Sequence, residues 1–394
     1  MSDRAYLDWN ATAPLRPEAR AAMAAAFDWV GNPSSTHAEG RAARHLVEEA
    51  REKVAALVGA EPRNVIFTSG GTEANALALT PTLAPAAGET GCSKLFMSTI
   101  EHPSVRTGGR FRRDAIEDIP VTPTGVVDLG LLQAGLEQVH NAAPTSGVLV
   151  ALMHANNETG VVQPVAAAAE LVHAAGGLLH VDAVQSAGKI PFDINALKAD
   201  LLVVSAHKLG GPKGIGALVK RSEAVHIGEP LLTGGGQERG ARGGTENLIG
   251  IAGFGAAAEA AGTTLARDGA RIAALRDQLE TQLLAVSPEA VIFGKEVERL
   301  PNTTMFAVPG LKAEMALIAL DLAGIAASSG SACSSGKVTG SPVLAAMNVP
   351  AELAGGAIRL SIGPATTERE LGIFISAWRK LVAGLSKKRS SVAA

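Results

Sequence analysis

Short apolar runs rich in β-branched residues recur through the first two-thirds of the chain. Several are continuously apolar rather than alternating, which is typical of strands buried on both faces of a sheet. Stretches with helical spacing lie between them, and this alternation favours a mostly parallel sheet covered by helices on both sides. The pattern predicts strands at residues 65–69, 95–99, 148–153, 178–182, 201–205 and 215–220, and helices such as 38–58, 72–79 and 165–175.

A different pattern begins after a glycine-rich loop at residues 231–244. An alanine-rich helical stretch covers residues 248–286, and strand patterns follow near 291–294, 303–308, 325–328 and 357–362. Thr367 to Glu370 has the sequence of a capping box, which predicts that the last helix starts there and runs to about residue 385 before a frayed tail. We expect an α/β fold with a large domain at residues 15–257 and a smaller α+β domain at 258–394, to which residues 1–14 also belong.

The composition suits a well-packed protein and limits its partners. Of 394 residues, 47% are hydrophobic and 19% are charged, so the chain can bury a sizeable core. The net charge of −3 implies no broad basic surface, and we expect neither nucleic acid nor a membrane as a partner. Glycine, proline or charge interrupts the most apolar stretches before the roughly 20 residues that a membrane span needs. With no apolar signal at the N-terminus, we expect a cytoplasmic protein.

The chain has two cysteines, Cys92 and Cys333. Two are too few for a disulfide framework or a cysteine-rich metal site, and they fit a reduced intracellular setting. Free cysteines often fill cores. Cys333, however, lies among serines, glycines and alanine, and this composition predicts an exposed loop with a usable thiolate. Cys92 is also flanked by polar residues, but no companion motif accompanies it, and we interpret it as incidental.

Lys208 follows the strand predicted at 201–205 and precedes a glycine turn. A lysine beside a buried strand must be compensated or lose its proton, and an amine with a lowered pKa is what a Schiff base requires. A solvated loop lysine is the alternative for this residue taken alone. Ser205 and Lys208 also fit the S-x-x-K pattern of penicillin-binding enzymes, but the S-D-N and K-T-G triplets of those enzymes are absent from the sequence.

Asp182 ends the strand predicted at 178–182. Ligands of α/β proteins bind at the carboxyl ends of parallel strands. An aspartate there could keep the ring nitrogen of pyridoxal 5′-phosphate (PLP) protonated and so make the cofactor an electron sink. Gln185, three residues later, could reach the phenolic oxygen of the same ring. A helix N-cap is the alternative for Asp182 taken alone.

A glycine pair, Gly70 and Gly71, joins a predicted strand to a predicted helix. Backbone N–H groups at such a helix start bind phosphate, and Thr72 adds a hydroxyl. No G-K-[ST] follows, and no G-x-G-x-x-G fingerprint follows a strand, so nucleotide hydrolysis and nicotinamide chemistry are disfavoured. The phosphate cradle, Asp182, Lys208 and Cys333 together predict a PLP enzyme that acts on a sulfur-containing substrate.

With these residues the chain resembles the NifS/IscS-type cysteine desulfurases, in the class V aminotransferase branch of PLP fold type I. The matching motifs extend over nearly the whole chain and lie at residues 7–14, 31–35, 67–75, 101–103, 154–160, 180–185, 205–216, 234–245, 328–333 and 358–363. The resemblance implies a large PLP-binding domain with a mostly parallel, seven-stranded-type sheet between helices. It also implies removal of sulfur from L-cysteine, which gives L-alanine and an enzyme persulfide.

The resemblance also implies a role for each matching residue. Lys208 would carry the cofactor and move the Cα proton, His102 would stack on the ring and assist proton transfer, and Cys333 would take the sulfur. The residues implied in cofactor binding are Gly71, Thr72, His102, Asn157, Asp182, Gln185, Ser205, His207 and Lys208, with Thr245 reaching the phosphate of the neighbouring subunit in a homodimer. Arg359 would bind the substrate carboxylate with a bidentate fork, and Asn10 would lie at the site's edge. No resident metal is implied; an iron–sulfur cluster would contact Cys333 only transiently.

Two positions depart from the family pattern. Ile100 stands where threonine is frequent, and Pro342 stands where an aromatic residue or histidine is common, so Pro342 is expected to stiffen the end of the cysteine loop. That loop resembles the group I enzymes, which hand sulfur to an acceptor protein such as an iron–sulfur scaffold. The pathway served and activity on selenocysteine stay open. An aminotransferase or selenocysteine lyase of the same class is the nearest alternative, since it needs PLP but not Cys333; the intact residue set disfavours a non-catalytic interaction protein.

Overall fold

The computed structural model describes residues 4–143, 147–330 and 340–392, with side chains as far as residue 384. The strands in these ranges are β1 (Ala5–Tyr6), β2 (Val65–Thr68), β3 (Leu83–Ala84), β4 (Cys92–Ser98), β5 (Ile116–Ile119), β6 (Gly147–Met153), β7 (Leu178–Asp182), β8 (Leu201–Ser205), β9 (Gly216–Lys220), β10 (His226–Ile227), β11 (Val291–Ile292), β12 (Thr303–Ala307), β13 (Ile325–Ala326) and β14 (Ile358–Ser361). The α-helices are α1 (Pro17–Ala26), α2 (Ala38–Val58), α3 (Gly71–Ala78), α4 (Pro103–Arg106), α5 (Leu129–Ala142), α6 (Val165–Ala174), α7 (Leu248–Val286), α8 (Ala313–Leu322), α9 (Pro342–Ala346), α10 (Ala351–Ala354) and α11 (Glu368–Val392).

Seven strands form the large sheet, in the order β2-β9-β8-β7-β6-β4-β5. Neighbours among β5, β4, β6, β7 and β8 pair in parallel, whereas β9 runs antiparallel to both β8 and β2. The mostly parallel α/β sheet predicted from the sequence is therefore confirmed. Each of the six strands predicted for it agrees with an observed strand to within a few residues.

Burial on both faces explains the continuous apolar runs of the central strands. β7 and β8 are buried along their whole length. Leu202 and Val204 of β8 join a hydrophobic cluster with α2, α6 and the first half of α7. Leu201 and Val203 join the cluster on the opposite face, which includes α3. Burying each such side chain contributes about 1.5–3 kcal/mol, so both faces stabilise the sheet.

The edge strand β5 was missed by the apolar pattern. Its Glu117 pairs with Lys94 of the adjacent β4, and its Asp118 pairs with Arg106 of α4. Charged side chains on an edge strand hinder pairing with another chain. The same charges interrupt the apolar run by which the interior strands are recognised.

The smaller unit is built on the antiparallel sheet β11-β12-β14. Phe306, Phe374 and Trp378 form the aromatic centre of its core, between this sheet and α11. β1 pairs in parallel with β13, so the N-terminal segment lies with this unit. Helix α7 contributes Phe254 to the core of the large sheet and Leu279 to the small core. This arrangement supports a domain change inside α7, and the bounds 15–257 and 258–394 stay a prediction.

The two longest helices each bear on a prediction made from the sequence. Helix α7 has 39 residues and is long and apolar enough to cross a membrane by length and composition alone. Half of its most apolar window is buried within the protein, and one such helix in the described part of the chain is weak evidence for a span. Helix α11 continues to Val392, so the predicted end near residue 385 is wrong. The residues after Gly384 include no proline, and lysine, arginine and serine are all compatible with a helix.

Candidate active site

The site lies where parallel strands of the large sheet end. Asp182 is the last residue of β7, and Ser205 is the last residue of β8. Gly216 begins β9 and pairs with Ser205 on one side and with Thr68, the last residue of β2, on the other. The carboxyl ends of β2, β7 and β8 therefore share one edge, which is where open α/β sheets bind ligands.

Lys208 ends a turn of 3-10 helix, Ala206–Lys208, that directly follows β8. Its Nζ donates hydrogen bonds to the backbone carbonyl oxygens of Asn10 at 2.5 Å and Ala11 at 2.8 Å. Gly210 and Gly214 then take φ values of +89° and +80°, a conformation that glycine adopts without strain. The amine is thus held between the end of β8 and the N-terminal segment.

Asp182 is a buried carboxylate whose hydrogen-bond donors are neutral. Its Oδ1 accepts from the backbone N–H of Val184, and its Oδ2 accepts from Asn75 Nδ2, both at 2.9 Å. Asp182 is only 6% exposed, and within the described ranges it makes no ion pair. A buried carboxylate is costly without a compensating charge. Asp182 can therefore receive a cationic group of a ligand.

Gln185 is buried beside Asp182 and is held by two neighbours. Its Nε2 donates to the carbonyl oxygen of Asn10 at 3.0 Å, and its Oε1 accepts from Lys189 Nζ at 2.6 Å. Lys189 was not predicted as a site residue, although its position four residues after Gln185 fits contact across one helical turn. Burial, and then the cations Lys208 and Arg359, hold the pKa of Lys189 well below its ordinary value.

The start of α3 has the features expected of a phosphate cradle. The N-cap is Gly70, with φ +155°, and no side chain caps the first backbone N–H groups. A Cβ on Gly71 would lie 3.1 Å from Val184 Cγ2, so glycine permits the close approach of α3 to the end of β7. Thr72 is exposed, and Ser205 is buried at the end of β8. Amides at this helix start can bind an anion.

His207 is neutral at physiological pH. Burial, together with the nearby cations Lys208, Lys213 and Lys189, lowers the pKa of His207 to about 4. Its Nδ1 lies 3.2 Å from Thr12 Oγ1. The ring is therefore a hydrogen-bonding group rather than a cation at this edge of the sheet.

One ion pair ties the glycine-rich loop at residues 231–244 to the phosphate cradle, and a second ties it to α2. Arg242 donates to Glu73 of α3, whose other carboxylate oxygen accepts from the backbone N–H of Ser69. Glu238 forms a buried pair with Arg51 and also accepts from the N–H of Phe67 in β2. These contacts hold the exposed Thr245, which follows the loop, near the cradle's outer side. Neither pair was singled out from the sequence.

His102 is the N-cap of α4, and its Nδ1 accepts a hydrogen bond from the backbone N–H of Ser104 at 3.2 Å. Glu101, directly before it, is buried, and its Oε1 accepts from the N–H of Met153 at 2.6 Å. Burial, followed by the charge of Asp182, raises the pKa of Glu101 well above its ordinary value.

Asn10 proves more central than its expected place at the site's edge. It is 1% exposed, and its N–H donates to Ser361 Oγ at 2.9 Å. Its side-chain Nδ2 donates to Thr303 Oγ1 at 2.9 Å, while its Oδ1 accepts from Lys189 at 2.8 Å. With its carbonyl on Lys208, Asn10 joins the ends of the large sheet to the small sheet.

Arg359 lies on β14 and is 1% exposed. Its Nη2 donates to Asp8 Oδ1 at 2.7 Å, and its Nη1 donates to the carbonyl oxygen of Asn157 at 2.9 Å. Its Nε is buried without a hydrogen-bond partner in the described chain. The guanidinium therefore lies at the site with its Nε as a hydrogen-bond donor that has no acceptor in the described chain.

Cys333 lies outside the described residues, but the flanks of its segment are ordered around the site. Ser328 donates to Asp8 Oδ2 at 2.9 Å. On the other flank, Ser341 is the N-cap of α9 and donates to the buried Glu158. Pro342 is the first residue of that helix, a position that proline favours because no N–H is needed there. The prediction that Pro342 stiffens this end stays a prediction.

Cys92 differs from the exposed thiol expected of Cys333. It is 3% exposed at the start of β4, and burial, followed by the charge of Asp200, raises its pKa to about 12. A thiol in this state is unreactive near neutral pH. No group of three or more potential metal-binding side chains occurs in the part of the chain that the structure describes.

Comparisons with known proteins cover nearly the whole chain. The sequence pattern of the class V aminotransferases matches residues 5–374. The chain is 43% identical over 375 residues to a cysteine desulfurase from Cereibacter sphaeroides, covering 94% of this chain and 93% of that protein. It is 38% identical over 387 residues to the cysteine desulfurase IscS of Dictyoglomus turgidum, covering 97% and 95%. The solved structure of a NifS-like protein from Rickettsia africae aligns with a TM-score of 0.86 at 35% identity, covering 97% of this chain and all of that one.

Proposed function

Because the chain belongs to the class V aminotransferase family and is 38–43% identical to cysteine desulfurases, we propose that it is a PLP-dependent enzyme that takes sulfur from L-cysteine. The products are L-alanine and a persulfide on Cys333, which passes the sulfur to an acceptor. The observation that carries the proposal is the buried Asp182, which makes no ion pair in the described chain and lies at the same sheet edge as the amine of Lys208.

The residues at the sheet edge fit PLP group by group. The uncapped amides of α3 at Gly71 and Thr72, with Ser205 and His207, would hold the phosphate. Asp182 would compensate a protonated ring nitrogen, Gln185 would lie beside the ring, and Lys208 would supply the amine. When bound, the cofactor supplies an electron sink for the bonds at the substrate Cα. The chain's own share is to position groups, hold protons and exclude water.

Lys208 and His102 are the two residues that transfer protons in the proposed reaction. Lys208 is the base for the Cα proton, and two backbone carbonyl oxygens hold its Nζ at the end of β8. His102 would be the second proton-transfer group, and Asn157 would contact the cofactor near the ring. General acid–base help of this kind contributes about 10²–10⁴-fold to rate.

Arg359 binds the substrate carboxylate. Its Nε is unmatched in the described chain, and its Nη2 is paired with Asp8. A substrate carboxylate would satisfy the first donor and compete with Asp8 for the second, and a bidentate pair of this kind is stronger than a single contact. Asn10, at the edge of the substrate site, contacts Asn157, Lys189 and Lys208 and helps to hold them in place.

The Cys333 thiolate attacks the sulfur of the bound cysteine. The Cβ–S bond of the substrate breaks as the S–S bond to Cys333 forms, and the carbon fragment leaves as alanine after protonation. Reduction, or transfer to a sulfur-acceptor protein such as an iron–sulfur scaffold, then regenerates the thiol. We place this activity in the cytoplasm.

A homodimer completes the site. The exposed Thr245 is proposed to reach the phosphate bound by the neighbouring subunit. Phe27, Trp29 and Val30 form an exposed apolar segment after α1, with relative exposures of 69%, 41% and 85%. Apolar groups of this size are costly to leave in water and fit a subunit contact.

The test is to purify the protein, record its visible absorption, and assay alanine and sulfide after adding L-cysteine and a reductant. We expect a band near ~400–420 nm from the Schiff base and equal amounts of alanine and sulfide. Lys208→Ala should lose the band, whereas Lys213→Ala, which removes an exposed lysine from the same turn, should keep it. Cys333→Ala should keep the band and lose sulfide. A keto acid in place of alanine would point instead to an aminotransferase.

A further inference from the structure

Asp182 and His102 are joined by a short chain of hydrogen bonds through two residues that the proposed mechanism does not use. Asn75 of α3 is 1% exposed, and its Nδ2 donates both to Asp182 Oδ2 and to Ser104 Oγ, each at 2.9 Å. Ser104 Oγ in turn lies 2.8 Å from His102 Nδ1. His180 Nε2 lies 3.0 Å from Asn75 Oδ1.

The charge of Asp182 fixes the direction of these bonds. An ionised carboxylate only accepts, so the amide of Asn75 must turn its Nδ2 toward Asp182 and its Oδ1 toward His180. His180 then donates from Nε2, which agrees with a neutral ring, because burial lowers the pKa of His180 to about 4. With one Nδ2 hydrogen on Asp182, the second is donated to Ser104 Oγ.

The same logic sets the protonation of His102. Ser104 Oγ already accepts from Asn75, so its own hydrogen can be donated to His102 Nδ1. The backbone N–H of Ser104 donates to the same Nδ1. A hydrogen on Nδ1 would face both donors, so Nδ1 acts as the acceptor, and in the neutral ring the proton lies on Nε2.

We propose that Asn75 and Ser104 are positioning residues that hold His102 as a neutral imidazole with its proton on Nε2, and that ionised Asp182 sets this state through them. The proposal rests on the proposed function, in which His102 lies beside the cofactor ring. His102 then enters the reaction as a hydrogen donor at Nε2. It can take up a proton only at Nδ1, after its contact with Ser104 breaks.

The experiment is nuclear magnetic resonance of the purified protein with isotope-labelled histidine, in which the shifts of the two ring nitrogens report the tautomer. His102 is assigned by its loss in His102→Gln. In the native protein we expect the Nε2–H tautomer of His102. Ser104→Ala should lower the ratio of Nε2–H to Nδ1–H about fivefold, as expected from loss of one neutral hydrogen bond, and Ser104→Thr should restore it. The kcat for alanine formation should fall by a similar factor in Ser104→Ala, with KM for cysteine unchanged.

Thr107→Ala is the matched control, because it removes a hydroxyl at the end of the same helix whose hydrogen bond within the described chain goes to the carbonyl oxygen of Ser104. His173, which bonds to Asp200 at the other end of the sheet, is the internal reference. An Nδ1–H tautomer or an imidazolium in the native protein, or an unchanged ratio in Ser104→Ala, would overturn the proposal. If the tautomers behave as expected while the native protein makes no alanine, the proposed function fails and the assignment of the His102 proton stands.

Discussion

Two buried aspartates, at opposite ends of adjacent strands of the large sheet, differ in the charge of their hydrogen-bond partners. Asp200, just before β8 at the amino edge, accepts from Arg221 at 2.6 Å, His173 at 2.8 Å and the backbone N–H of Leu179 at 2.8 Å. Asp182, at the carboxyl edge, accepts only from neutral groups within the described chain. The amino edge balances its charge internally, whereas the carboxyl edge keeps a charge available for a ligand.

The cationic side chains also differ between the carboxyl edge and the amino edge of the sheet. At the carboxyl edge Lys189, Lys208 and Arg359 lie close enough for the last two to depress the pKa of the first. At the amino edge Asp200 is already paired, and the thiol of Cys92 beside it is buried in its protonated form. A buried charge without a compensating partner occurs where it can serve ligand binding. Packing in the rest of the protein must offset the folding free energy that this charge costs.

The sharpest test of this comparison is Asp182→Asn. We expect alanine formation to fall about 10²–10³-fold, the loss typical of removing a preorganised electrostatic partner. The unfolding free energy should change by less than about 1 kcal/mol, because loss of one hydrogen bond and relief of a buried charge oppose each other. Steady-state kinetics and urea unfolding measure the two quantities. A large loss of stability with normal kcat would reverse the roles assigned to the two edges.

The mirror experiment is Asp200→Asn. Here we expect a loss of about 2–3 kcal/mol of unfolding free energy, because a buried carboxylate with charged hydrogen-bond partners is removed. The kcat of the folded fraction should stay within about twofold, since Asp200 lies at the opposite end of the strands from the site. Arg221→Ala should destabilise by less, because that side chain is partly exposed. An activity loss that exceeds the loss of folded protein would contradict the comparison.

The smallest expected effect concerns Lys189. The folded state holds the pKa of Lys189 below its ordinary value of 10.5. At pH values between the folded-state pKa and the unfolded-state pKa, the unfolded chain binds more protons than the folded chain, so native stability rises with pH. Lys189→Met removes this dependence. The stability of Lys189→Met relative to the native protein should therefore decrease as pH rises from about 7 to about 10. Urea unfolding at several pH values measures this, with Lys198→Met as an exposed-lysine control. A relative stability that increases with pH would contradict the prediction.

Much of the large sheet could be predicted because its central strands are buried on both faces and are mostly apolar. β5 could not, because its charged side chains at the sheet edge pair with Lys94 and Arg106 across space. Lys208 and Asp182 could be proposed from the sequence because Asp182 ends one recognisable strand and Lys208 closely follows another. Roles for Lys189, Asn75 and Ser104 were missed because they depend on contacts between segments that are far apart in sequence.

The N-terminal segment illustrates the same limit. The sequence motif around Asn10 predicts a place near the site, and the structure gives it partners on both sheets. The predicted domain bounds and the role of Cys333 stay predictions, since the latter lies outside the described residues. Patterns in one sequence identify residues whose role follows from their position at the end of a strand. They miss residues whose role is to position another side chain.

The bond between Asn10 and Ser361 spans 351 positions of the chain. Asn10 is synthesised 351 residues before Ser361, so this hydrogen bond between the N-terminal segment and β14 forms only after residue 361 has been made. Contacts of such long sequence separation form late, because closing the loop costs entropy before any contact offsets it. A nascent or truncated chain can therefore build the large sheet and still lack a competent site. The geometry of the site therefore depends on a contact between residues that are far apart in the sequence.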